Sequence, residues 1–286
     1  MTTYLVTGAS GHLGRLAVHA LLERGVAAGD IVATARDTGA VTDLAALGVT
    51  TRAADYTDPV SLEEAFTGVD RVLLVSSSAI GERAAQHANV IDAAKGAGVE
   101  LLAYTSITGA DSSTMALADE HRETEELLAA SGLPTVLLRN SWYLENYTDQ
   151  IATALEHGAV LGAAGEGRVS AATRADFAAA AAAALVADDQ AGLVHELGGD
   201  TAFTLAEYAA ELSAASGTDV VYRDLPADEL TAVLVGAGLP EPYAAVLADA
   251  DLGLARGELR TDSDALSRLI GRPTTTLAEA IRAALA

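Results

Sequence analysis

A short apolar segment, Tyr4-Leu-Val-Thr7, runs into three glycines spaced three apart: Gly8, Gly11 and Gly14. An apolar stretch with helical spacing then extends from Leu13 through Leu16, Ala17, Ala20 and Leu21 to Arg24, and Gly25 closes it. A strand, a glycine turn and a helix in this order constrain the backbone strongly. The first glycine permits a tight exit from the strand. The second lets the backbone approach a ligand, and the third lets helix and strand pack with no side chain between them. The free N–H groups of the first helical turn then face an anion, aided by the helix dipole. The spacing is G-x-x-G-x-x-G rather than G-x-G-x-x-G, but strand and helix flank it on the sides a dinucleotide-binding turn demands. A glycine turn with no ligand satisfies the same pattern.

The alternation continues. Strands are expected at 31–35, 49–53, 71–75, 101–105 and 135–138, with helices at 41–47, 82–95 and 117–130 between them. Ser61 and Glu64 have the spacing of a capping box for the helix after the third strand. This rhythm implies an α/β fold with a doubly wound parallel sheet, Rossmann-like, and right-handed crossovers. Beyond residue 150 the alternation fades. A helix is expected over about 145–156, a glycine-rich loop over 158–167, a helix capped by Thr173 through the alanine run 178–184, and extra strands at 194–197 and 220–222. Capping boxes are expected at Thr204/Glu207 and Thr276/Glu279. The division is therefore 1–150 for a dinucleotide-binding domain and 151–286 for a smaller, mostly helical region, with the chain free to cross back. Ligands of such sheets bind at the carboxyl ends of the strands. Arg36, Asp55, Ser76, Ser77, Ser78, Thr105, Ser106 and Asn140 all fall there.

Composition removes several chemistries. There is no cysteine, which excludes disulfides, thiolate nucleophiles and iron–sulfur clusters. The six histidines show no metal-ligand spacing, so no metal is expected, and no Gly-x-Ser-x-Gly elbow occurs. A net charge of −23 opposes nucleic acid. No apolar run is long enough to span a bilayer and no signal-peptide pattern opens the chain, so a cytoplasmic protein is expected. Lys95 is the only lysine, and Ile91 stands four residues before it, so the Tyr-x-x-x-Lys pair of short-chain reductases cannot form. Where that pair would lie, the chain reads His121-Arg-Glu-Thr-Glu125. His121 is a candidate proton donor, or a partner of Glu125 in an i, i+4 contact on one helix face. At the end of the second strand Arg36 suits a 2′-phosphate, favouring NADPH, while the adjacent Asp37 keeps NADH open. A reductant-binding protein without an acid–base dyad fits hydride transfer to a quinone, which accepts hydride readily and whose product water can protonate.

Thr7-Gly-Ala-Ser-Gly-His-Leu-Gly14, Ala54-Asp-Tyr56, Leu74-Val-Ser-Ser-Ser78, Ala103-Tyr-Thr-Ser106, Ala118-Asp-Glu-His121, Leu138-Arg-Asn-Ser-Trp-Tyr-Leu-Glu-Asn-Tyr147, Ala172-Thr-Arg-Ala-Asp176 and Gly271-Arg-Pro-Thr-Thr-Thr276 closely resemble the bacterial type-2 NADPH:quinone oxidoreductases, in the NmrA-like branch of atypical short-chain dehydrogenases. The resemblance covers nearly the whole chain. It implies an NADPH-binding enzyme without flavin or metal, acting on a quinone or similar small electrophilic carbonyl compound. It places Gly8, Ala9, Ser10, Gly11, His12 and Leu13 on the pyrophosphate, Arg36 on the 2′-phosphate, and Ser76, Ser77, Ser78 and Thr105 along the dinucleotide. Asn140, Ser141, Trp142, Tyr143, Leu144 and Glu145 would line the nicotinamide and the quinone pocket, with Asn140 and His121 as catalytic candidates. Packing between the two parts of the chain is the competing role for Trp142 and Tyr143. NmrA-like relatives also include redox sensors that bind NADP without turnover. Exposed helices of such domains often pair, which allows a homo-oligomer.

Overall fold

The computed structural model describes residues 1–286. The first half runs β1 (Tyr4–Val6), α1 (His12–Glu23), β2 (Ile31–Ala35), α2 (Thr42–Ala46), β3 (Thr50–Ala53), α3 (Pro59–Phe66), β4 (Arg71–Leu74), α4 (Arg83–Ala97), β5 (Leu101–Ile107), α5 (Ala116–Ser131) and β6 (Thr135–Asn140). It continues with α6 (Glu145–Thr148), α7 (Ile151–His157), β7 (Ala159–Gly162), α8 (Arg174–Val186), β8 (Val194–Leu197), α9 (Leu205–Ser216), β9 (Val221–Asp224), α10 (Ala227–Gly236), α11 (Glu241–Ala255), α12 (Ala265–Ile270) and α13 (Leu277–Leu285).

Seven parallel strands form the central sheet in the order β3-β2-β1-β4-β5-β6-β8. The order reverses direction between β1 and β4, which opens a crevice beyond their carboxyl ends. Both faces of the sheet are covered, so β2 and β5 are buried along their whole length. One face carries α1 and α8 through Ala17, Leu21, Phe177 and Ala181; the other carries α3, α4 and α5 through Phe66, Val90, Ile91 and Leu128. The alanine run acquires its physical reason here. From Ala180 to Leu185 every residue of α8 is buried, so only small side chains let it approach α1 and the sheet.

The chain does cross back. After α7 and β7 it returns to the sheet as α8 and β8, the latter paired with β6. The Arg71 guanidinium, at the start of β4, ties off α8 by donating to the carbonyls of Leu185, Val186 and Ala187 at 2.9–3.1 Å. A second core gathers Leu144, Ile151, Phe203, Tyr208, Leu212, Leu254 and Ile281 from the remaining elements.

Several local expectations change. Glu64 has no part in capping α3. Pro59 is fixed for the first helical position, so the helix begins earlier, and the Asp58 carboxylate caps it by accepting from Val60 N–H. Ser61 instead donates to the Asp58 carbonyl at 2.8 Å. The helix expected over 145–156 breaks into α6 and α7, because Gln150 leaves helical geometry in a tight turn onto the Tyr147 carbonyl. The supposed loop 158–167 contains β7, which pairs in parallel with β9; its glycines had masked a short Ala-Val-Leu strand. Thr173 and the boxes at Thr204/Glu207 and Thr276/Glu279 cap as expected.

Candidate active site

The glycine turn lies at the reversal point of the sheet. Gly8 has φ +60°, a conformation that side chains disfavour, and it turns the chain out of β1. The Ala9 amide donates to the Thr34 carbonyl at 2.8 Å and that of Gly11 to the Gly8 carbonyl at 2.9 Å. A Cβ on Gly14 would stand 2.4 Å from the Gly8 carbonyl oxygen, so the helix approaches the strand as closely as glycine allows. Gly11 precedes α1 and brings no side chain to cap it. The first-turn amides of His12, Leu13 and Gly14 therefore lack intrahelical acceptors, and Ser10, Gly11 and His12 are exposed. This cradle fits a pyrophosphate.

A residue that the sequence reading left without a role supports the turn from below. The hydroxyl of half-buried Tyr56 donates to the Val75 carbonyl at 2.8 Å and lies against the Thr7 hydroxyl, which accepts the Val75 amide at 3.0 Å. Burial pushes the phenol well above its ordinary pKa. Tyr56 thus joins the ends of β1 and β4 under the crevice.

At the end of β2, Arg36 is exposed and has no hydrogen-bond or ion-pair partner in the chain. Its neighbours are committed elsewhere. The Asp37 carboxylate accepts from Gly39 N–H at 2.8 Å, and Arg15 is paired with Asp43 and donates to the Ala40 carbonyl. The free cation at this strand end is Arg36.

After β4, the Ser76 amide donates to Thr105 Oγ1 at 2.9 Å, joining the ends of β4 and β5. Ser77 faces α4: its hydroxyl donates to Gln86 Oε1 at 2.5 Å and its carbonyl accepts from Arg83 Nε at 2.7 Å. Ser78 is exposed.

The segment 140–145 divides. Asn140, at the end of β6, is 5% exposed, and its Oδ1 has no partner within the chain. A buried acceptor of this kind is free to take a donor from water or from a ligand. Trp142 and Tyr143 are half-buried; Trp142 leans on the second core, while Tyr143 meets Phe177 edge-on with the Arg174 guanidinium 4.8 Å above its ring. The other three have internal tasks. Ser141 donates to the Leu259 carbonyl at 2.7 Å, and Leu144 is buried in the second core. The Glu145 carboxylate accepts the Arg174 amide at 2.9 and 3.0 Å, at the start of α8.

His121 and Glu125 do not pair. His121 is buried with Nδ1 2.8 Å from the Tyr104 hydroxyl, and burial, reinforced by Arg83 and His87, holds its pKa well below the ordinary value, so it is neutral. Glu125 is drawn instead to Arg139, because a guanidinium buried at the end of β6 must have carboxylate partners. Arg139 donates to both Glu125 oxygens at 3.0 and 2.7 Å, to Asp111 at 2.9 Å and to Glu196 at 3.0 Å. Ser106 adds a hydrogen bond to Glu125, and Thr108 and Gly109 add two to Glu196. This cluster fixes the loop after β5 beside Asn140. No group of three or more His, Cys, Asp or Glu side chains is arranged to hold a metal ion.

Residues 8–188 match the family model described as NAD(P)H-binding. The chain belongs to that family. An NmrA-like family domain-containing oxidoreductase of Aspergillus flavus is 24% identical over 98% of this chain. Over 276 residues, 96% of each chain, the protein is 50% identical to quinone oxidoreductase 2 of Escherichia coli (strain K12). The crystal structure of NADPH-dependent quinone oxidoreductase complexed with NADPH from E. coli superposes with a TM-score of 0.96 at 49% identity, covering 99% of this chain and 100% of the other. Citrobacter sp. triphenylmethane reductase complexed with NADP(H) follows with a TM-score of 0.93 at 36% identity, over 99% and 100% of the two chains. No helix of this family member is long and apolar enough to cross a membrane.

Proposed function

We propose that the protein is an NADPH-dependent reductase that passes hydride to quinones or similar small electrophilic carbonyl compounds. The observation that carries this reading is the 50% identity, over 96% of both chains, to the E. coli quinone oxidoreductase. The site agrees with it. The cradle Gly8–Leu13 suits a pyrophosphate, and the unpaired Arg36 suits the 2′-phosphate that distinguishes NADPH from NADH. Ser76, Ser78 and Thr105 follow the dinucleotide along the strand ends, and the Asn140 Oδ1 accepts from the nicotinamide end. Residues 1–150, with the returning α8 and β8, form the cofactor-binding part; the rest of 151–286 walls the substrate.

NADPH supplies the hydride when bound. The protein supplies proximity: Trp142 offers a flat apolar face to a quinone ring, and Tyr143, held by Phe177 and Arg174, steadies the wall beside it. Conversion of quinone to hydroquinone also takes one proton. His121 is neutral and tied to Tyr104 in the interior, so the proton comes from solvent. The absence of cysteine and of a membrane-crossing helix favours a cytoplasmic enzyme.

Mixing the protein with NADPH and a panel of simple quinones tests the reading. NADPH oxidation above background is expected with several of them. Tight NADPH binding with no turnover across the panel would instead indicate a redox sensor.

A further inference from the structure

We infer that His87 is a positioning residue for the cofactor, acting through the Ser77 amide that it holds in place. The inference rests on the cofactor site proposed above. His87 is fully buried on α4. Its Nε2 lies 3.0 Å from the Ser77 amide nitrogen, and its Nδ1 lies 2.9 Å from Thr124 Oγ1 on α5.

These contacts determine the tautomer. A backbone amide only donates, so Nε2 must carry the lone pair. The Thr124 hydroxyl spends its proton on the Glu120 carbonyl at 2.9 Å, so it accepts, and Nδ1 must carry the proton. His87 is therefore neutral with its proton on Nδ1. Burial, with Arg83 nearby, lowers its pKa to about 3, so this acceptor persists across the physiological range. The ring is also wedged edge-on between Tyr56 and Tyr104, at centroid separations of 6.1 and 5.4 Å.

The contacts converge on one residue of the loop after β4. Ser77 is gripped at its amide by His87, at its hydroxyl by Gln86 and at its carbonyl by Arg83. All three contacts are part-buried, but of the three partners only the His87 ring has no exposed surface, and the same ring abuts Tyr56, which supports the glycine turn. One imidazole with no exposed surface thus ties the β4 loop to the floor of the crevice.

The test uses the full-length protein and NADPH. His87→Leu removes the acceptor while keeping apolar bulk; His87→Gln offers a carbonyl oxygen near the Nε2 position. His87→Leu is expected to weaken NADPH binding about tenfold, with kcat for a quinone at saturating NADPH within about twofold, and His87→Gln is expected to recover most of the loss. Unchanged NADPH affinity in folded His87→Leu overturns the inference. So does a fall in kcat without a change in affinity. Nitrogen NMR of the wild type supplies an independent check should His87→Leu fail to fold: a proton on Nδ1 is expected, and a proton on Nε2 overturns the inference. If the wild type does not bind NADPH at all, the cofactor site itself is refuted, an outcome distinct from the variants binding as well as the wild type.

Discussion

Gly14 and Gly8 meet with no space between them: the Cβ that Gly14 lacks would stand 2.4 Å from the Gly8 carbonyl oxygen and 2.8 Å from its carbonyl carbon. Both obstructing atoms are backbone, so neither can swing aside. Gly14→Ala must push α1 away from the turn. We expect a stability loss of about 1–3 kcal/mol, the usual cost of overpacking, and at least a tenfold loss of NADPH affinity because the first-turn amides move. Denaturant unfolding and a binding titration measure the two effects. Wild-type affinity in the variant would show that the cradle does not touch the cofactor.

Arg36 is expected to set the cofactor preference. Its planar fork can pair a 2′-phosphate in bidentate fashion, and NADH has no such group. A charge-assisted contact contributes roughly 1.5–3 kcal/mol, and each 1.4 kcal/mol is about tenfold in affinity. The wild type should therefore prefer NADPH by about ten- to a hundredfold. Arg36→Ala should remove most of that preference at unchanged thermal stability, since the side chain has no partner in the chain. Dissociation constants for both cofactors at two salt concentrations check this. Equal weakening of both would remove Arg36 from the 2′-phosphate.

Trp142 is expected to affect substrate more than cofactor. Trp142→Ala should raise the quinone KM several-fold more than it changes NADPH affinity. Steady-state kinetics with calorimetry distinguish this from global loosening of the second core, on which Trp142 also leans. In that case the melting temperature would fall and both constants would worsen together.

Asp251 predicts a pH effect remote from the chemistry. Burial, with Asp224 adding to it, raises its carboxyl pKa to about 6, although the Ala163 amide donates to it at 2.8 Å. A raised folded-state pKa favours the protonated form, so the group supports folding most below its unfolded pKa of about 4. That support is lost as pH rises from about 4 to about 6. Asp251→Asn keeps the acceptor and removes the charge. It should stabilise the protein by about 2 kcal/mol at pH 8 and by little at pH 4. Equal melting shifts at the two pH values would contradict the assignment.

The first six strands were legible because most obey a local rule: a short apolar run, a polar residue at its exit, and a helix closed by glycine. Arg36 and Asn140 became candidates because they stand at strand exits. What escaped detection depends on partners distant in sequence. Glu145 looked like a pocket residue, but its carboxylate meets the amide of Arg174, 29 positions on. Arg139 carried no assignment in the sequence, yet it collects Asp111, Glu125 and Glu196 from three separate segments. His87 lies in a helix with no distinct apolar face, and only the position of Ser77 gives it a task. β7 was hidden because its pairing partner β9 lies some sixty residues later.

The return of the chain to the sheet has a consequence for how the protein is made. β6 is complete at residue 140, but its outer neighbour β8 ends only at Leu197, and the apolar face of α1 waits for α8, which begins at Arg174. At a synthesis rate of roughly 5–20 residues per second, the emerging first half spends several seconds with β6 as a bare sheet edge and Ala17 and Leu21 uncovered. During that interval the nascent chain presents the two surfaces that chaperones and aggregating neighbours recognise, an open strand and an apolar helix face. Arg71, translated more than a hundred residues before the carbonyls it will hold, records how late the fold is closed.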